Sequence, residues 1–195
     1  MNNFRQSKII FPVLMLLILA FISSCNKTNE KREVKDTRQV VFFDLRSYFN
    51  DIIKTYAADS VLVNKQVSFG NKSELKENMA IDWSVELQTF AEADINRSSW
   101  IDKFKVDTLT TNNGSTILYQ TTDASIPIKQ LEVMLTATGK VSEIVIQSER
   151  KSLLYKSKQK LNFRPGNSYS IDGWQRTLML SQTDFEVKAD ILMSE

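Results

Sequence analysis

The chain has 195 residues, with 25 Lys and Arg against 23 Asp and Glu, a single cysteine and no histidine. Without histidine there is no Ser-His-Asp or Cys-His nucleophile and no histidine-built zinc site, and one cysteine excludes an intrachain disulfide. Any catalysis would rest on carboxylates, Lys, Tyr or Ser, and the near-neutral charge speaks against a nucleic-acid partner.

Met1 to Lys8 carries Arg5, Lys8 and no acid, and is followed by the apolar run Ile9 to Ile22. That run is 14 residues long, whereas a transmembrane helix needs about 20. A basic start, a short apolar core and then small residues is the layout of a secretory signal peptide. The stretch Ile22-Ser23-Ser24-Cys25 resembles the lipobox of bacterial lipoproteins. The resemblance implies a signal peptide over 1–24, cleavage before Cys25, and a diacylglyceryl thioether on the Cys25 thiol. It also implies acylation of the new amino terminus, with palmitate as a typical chain. Two or more acyl chains hold a protein stably on a membrane, since each buried methylene adds about 0.8 kcal/mol. Membrane attachment through lipid on Cys25 is therefore the first partner expected. Asn26 stands where some bacteria use aspartate for inner-membrane retention, which points to the outer membrane.

The leader holds two of the basic residues and no acid. The remaining chain, about 170 residues, is thus formally neutral and of single-domain size. Residues 25–40 comprise the lipidated cysteine and a polar, charged stretch that reads as a flexible tether. A single α+β domain is expected over 41–195.

Within it, Phe42, Leu45, Phe49, Ile52, Ile53 and Tyr56 recur at three- and four-residue spacing, predicting an amphipathic helix over about 41–57. Residues 61–69 are rich in β-branched side chains and predict a short strand or an extended link, turned by Gly70-Asn71. Ser73 as N-cap, followed by Leu75, Met79, Trp83, Leu87 and Phe90, predicts a second helix over about 74–94. Asn96 and Ser98-Ser99 break it, and Trp100, Ile101 and Phe104 allow a short further turn. From residue 105 the period changes to two. Asn112-Asn113-Gly114, Thr138-Gly139-Lys140 and Arg164-Pro165-Gly166-Asn167 mark hairpin turns between alternating segments. In the last segment Phe185, Val187, Ala189 and Ile191 alternate with Glu186, Lys188 and Asp190, as in a strand packed on one face. The expected fold is α+β: two N-terminal helices packed on one face of a curved antiparallel β-meander of about six strands.

Few residues suggest a site. Lys156, Lys158 and Lys160 line one strand face and suit phosphate or anionic headgroups, or serve as a solvated face that blocks aggregation. Trp83, Trp100 and Trp174 suit either a pocket or ordinary packing. Glu92 and Asp94 do not share a helix face, so they make no acid–base pair. Asp172-Gly173 reads as turn or bulge chemistry. No phosphate loop, calcium loop or nucleophile elbow occurs, so no catalytic residue, metal ligand or cofactor is expected. The tract Asp94-Ile95-Asn96-Arg97 to Trp100, with the final strands, resembles small envelope lipoproteins of Gram-negative bacteria; this implies an envelope location and brings no activity. The expectation is a non-enzymatic, membrane-anchored envelope lipoprotein that binds an apolar small molecule or a protein partner. A structural component of an envelope complex is the alternative. A carboxylate-based hydrolase, which needs two acids about 5–10 Å apart across a cleft, ranks below both.

Overall fold

The computed structural model describes residues 41–193. The expected signal peptide, Cys25 and the expected tether up to residue 40 lie outside the described residues. Helix α1 spans Leu45–Ala58, and its N-terminus is fixed by Asp44, whose carboxylate accepts from the Ser47 amide at 3.0 Å. It begins four residues later than the periodicity suggests. The preceding segment is instead held outside the helix by Asn96, whose Oδ1 accepts from the amides of Val41 and Phe42, both at 2.9 Å.

Nine antiparallel strands follow: β1 Leu62–Phe69, β2 Lys72–Ala80, β3 Lys105–Thr111, β4 Gly114–Gln120, β5 Ile128–Thr136, β6 Val141–Lys151, β7 Tyr155–Arg164, β8 Ser168–Thr177 and β9 Thr183–Leu192. Their order in the sheet is β2-β1-β9-β8-β7-β6-β5-β4-β3, an open sheet with β2 and β3 at its edges. From β3 to β9 it is a meander, and the β1–β2 hairpin then joins β9, with Leu62 opposite Leu192.

The helix expected over 74–94 does not form as a unit. Its first part is strand β2, and only α2 (Trp83–Glu86) and α3 (Gln88–Glu92) are helical. Leu75 and Met79 mimicked a helical stripe, yet Leu75 is largely exposed on an edge strand. Asn64 on β1 faces two β2 residues, a bulge in which Asn78 takes φ 51° and donates its amide to the Asn64 side chain. The sheet therefore has nine strands rather than about six, and a hairpin separates the helical segments.

The helices cover one sheet face, and aromatic rings fill the space between. Phe49 on α1 meets Phe163 on β7 edge to face, with ring centroids 4.9 Å apart, and Phe90 on α3 packs on both Phe163 and Tyr169. Trp83 lies against Tyr56 and donates its indole N–H to the Val61 carbonyl. Tyr119, Leu131, Ile146, Leu161 and Tyr169 form a buried band across β4 to β8. Each large apolar side chain buried there contributes roughly 1.5–3 kcal/mol. The expected alternation on β9 holds: Ala189 and Ile191 are buried, and Val187 packs partly against the same core.

Turn chemistry sets the registers. Arg164-Pro165-Gly166-Asn167 closes with the Asn167 amide donating to the Arg164 carbonyl, and Gly166 takes φ 68°, as a type II turn requires. In the β3–β4 hairpin the tight turn is Asn112-Asn113, one residue earlier than an Asn-Gly turn. Gly114 already pairs with Thr111, and a Cβ there would sit 2.0 Å from the Leu135 carbonyl oxygen.

Candidate functional site

The residues singled out by sequence are dispersed. Trp83 is core, 3% exposed. Trp100 is half-buried, with the Arg97 guanidinium 4.3 Å from its ring centroid. Trp174 is half-buried on β8, on the sheet face away from the helices, opposite Lys158 and Asp184. No two of these tryptophans come together in one pocket. Glu92 is exposed and accepts from Gln88, whereas Asp94 is buried and bonds Asn96. The two acids therefore serve different networks. Asp172-Gly173 is neither turn nor bulge. It lies mid-strand in regular pairing with β7 and β9, and Gly173 is needed because a Cβ would meet the Lys158 carbonyl oxygen at 2.2 Å.

One charged node escaped sequence reading because its members are far apart in the chain. Glu86, on α2, accepts from the Tyr169 hydroxyl at 2.6 Å and from Lys65 Nζ at 2.6 and 2.7 Å. Burial, and then the hydrogen bond to the Glu86 carboxylate, hold the Tyr169 phenol well above its ordinary range. The node ties α2 to β1 and β8. Among the described residues no group of three acidic or thiol side chains is placed to hold a metal ion.

The most exposed apolar feature is at the end of the sheet where β6 turns into β7 and β8 turns into β9. Leu153 and Leu154 form the first connection, and Leu178, Met179 and Leu180 belong to the second. Their exposures are 89%, 61%, 64%, 92% and 70% in that order. The backbone there is well tied. The Ser152 amide donates to the Tyr155 carbonyl at 2.8 Å, and the Ser152 hydroxyl accepts from the Tyr155 amide at 3.0 Å. The Leu178 amide donates to the Leu154 carbonyl at 2.9 Å, locking one turn to the other. Between them runs an open groove of about 500 Å³ lined by Leu154, Lys156, Arg176, Leu178 and Leu180.

Register places three cations directly behind this apolar end, because Lys151 on β6 faces Lys156 on β7, which faces Arg176 on β8. Lys151 pairs with Glu149 at 2.7 Å, while Lys156 and Arg176 have no carboxylate within ion-pair distance among the described residues. Lys158 and Lys160 continue the row along the same face, opposite Glu149 and Gln147 on β6. The lysine face seen in sequence is therefore real as a face. The leucines beyond it lie in the connections, outside the strands. Their signal was available: Leu-Leu and Leu-Met-Leu are consecutive apolar residues where the alternation stops and polar turn residues are the norm.

Comparison with family models, with curated proteins and with solved structures finds no match to this chain. No helix among the described residues is long and apolar enough to cross a membrane.

Proposed function

We propose that the chain is a lipid-anchored envelope protein without catalytic activity, attached through Cys25, at the outer membrane. Its folded domain docks on another envelope component. The observation that carries this reading is the cluster of five apolar side chains, each 61–92% exposed, on two adjoining strand connections. Soluble surfaces seldom gather large apolar groups in this way unless something covers them. Leu154, Leu178 and Leu180 are held by backbone hydrogen bonds, so ordering them costs little when a partner arrives.

Docking is favoured over enclosing an apolar molecule between helices and sheet, because that space is occupied by Phe49, Phe90, Phe163 and Tyr169. The separate placement of Glu92 and Asp94 supports the non-enzymatic reading over a carboxylate hydrolase.

The test uses the full chain in living Gram-negative cells, with a photo-crosslinking side chain at position 179 and, separately, at the exposed outer-face position 188. Adducts are expected from 179 and not from 188. The docking reading fails if position 179 gives no adduct to any envelope component.

A further inference from the structure

The docking end carries two chemistries in a fixed order: apolar side chains at the extremity, cations one short step behind. Lys156 is two residues from Leu154, and Arg176 is two residues from Leu178. In a strand that separation is about 7 Å. It matches the change from acyl chains to headgroups at a bilayer surface, where an interfacial segment sinks roughly 5–10 Å. We propose that this end of the sheet seats on an anionic lipid surface, with Leu153, Leu154, Met179 and their neighbours among the upper acyl chains and Lys151, Lys156 and Arg176 against the headgroups. The proposal rests on the docking reading above and names the partner.

Three observations support lipid over a protein groove. First, the leading residues project furthest: Leu153 and Met179 are 89% and 92% exposed. Projecting knobs on either side of the groove suit a fluid phase that deforms around them. Second, part of the backbone at this end is already paired. The Ser152–Tyr155, Leu178–Leu154 and Leu180–Thr177 hydrogen bonds occupy polar groups that would otherwise enter the interface unpaired. Third, Lys156 and Arg176 are without ion-pair partners among the described residues, so their charge remains available to phosphate. The carboxylates nearest in register, Glu149 and Asp184, are already engaged by Lys151 and by the Gln182 side chain.

Each cation near an anionic surface strengthens attachment by a factor of about five. Replacing both Lys156 and Arg176 with Gln is therefore expected to lower the inserted-to-free ratio about thirtyfold. All the residues concerned are exposed, so the fold is kept, and unchanged thermal unfolding serves as the control.

The experiment reconstitutes the lipidated full chain into vesicles of neutral phosphatidylcholine, or of phosphatidylcholine with phosphatidylglycerol. A solvatochromic fluorescent side chain at position 179 reports depth. A blue shift in the phosphatidylglycerol vesicles, weakened by salt and by the K156Q/R176Q pair, is the expected result. A shift of equal size in neutral vesicles, or one insensitive to the two substitutions, overturns the role of anionic lipid. A probe that stays aqueous in both vesicles, while position 179 crosslinks a protein in cells, overturns the lipid assignment and leaves the docking reading standing. An aqueous probe with no crosslink in cells removes both.

Discussion

The tyrosine hydroxyls carry the clearest pH dependence at the scale of single residues. Burial raises the phenol pKa of Tyr48, Tyr56, Tyr119 and Tyr169, and at Tyr169 the Glu86 carboxylate adds to it. A raised folded pKa means that the folded state keeps a proton the unfolded chain gives up near pH 10. The stability these groups contribute is therefore complete below about pH 10 and is lost as pH rises from there towards the folded values. Alkaline titration followed by absorbance at 295 nm and by circular dichroism is expected to show these four ionisations coinciding with unfolding. Ionisation of all four while the circular dichroism stays native would contradict the burial argument. Single residues were unevenly legible. The lysine face was readable because a strand shows every second side chain on one side, whatever the partners. The Glu86 node was not, because it joins residues 65, 86 and 169, and spacing along the chain carries no information on such meetings.

Among the elements, α1 and the last strand were readable because one periodic face matches one buried face. The segment 72–80 was not. Lys-Ser-Glu-Leu-Lys-Glu-Asn-Met-Ala has good helix formers, but it pairs with β1 as an edge strand, and there the backbone ladder outweighs weak local propensity. Edge strands bury little, so they leave almost no apolar pattern to read. Asn96 illustrates how a loop residue can govern an element it does not belong to. Its carbonyl oxygen holds the amides of Val41 and Phe42, and its Nδ2 donates to the Phe43 carbonyl at 3.1 Å. This fixes the entry to α1 and seats Phe42 against Tyr119 and Phe104. Asn96→Ala is expected to destabilise the fold by about 1–3 kcal/mol, the cost of leaving the buried Phe42 amide without its acceptor. Hydrogen exchange at Val41 and Phe42 should accelerate with it. Unchanged exchange at those two amides would remove Asn96 from this role.

At the scale of the whole molecule, the helix-and-antiparallel-sheet class was readable, while the strand count and the order at one end were not. The meander from β3 to β9 follows from its turns, since neighbours in sequence become neighbours in the sheet. The joining of β1 to β9 follows from no turn. It is set by which edge of the finished meander remains open, and Val63 opposite Ile191 buries the junction. Strand β9 is thus interior to the sheet although it is last among the described strands. Removing residues 183–195 would strip ladder partners from β1 and β8 together. A chain so shortened is expected to lose its cooperative thermal transition, and retention of a sharp transition would show that the β1–β2 hairpin contributes little to the fold.

That same junction has a kinetic meaning. Leu62 meets its partner 130 positions later, so an early hairpin has no place to dock until residue 192 is present. Long-range pairing of this kind slows folding to roughly milliseconds or seconds. Under the export proposed above, delay is useful: the chain would stay threadable during passage and close its sheet only after strand β9 had crossed.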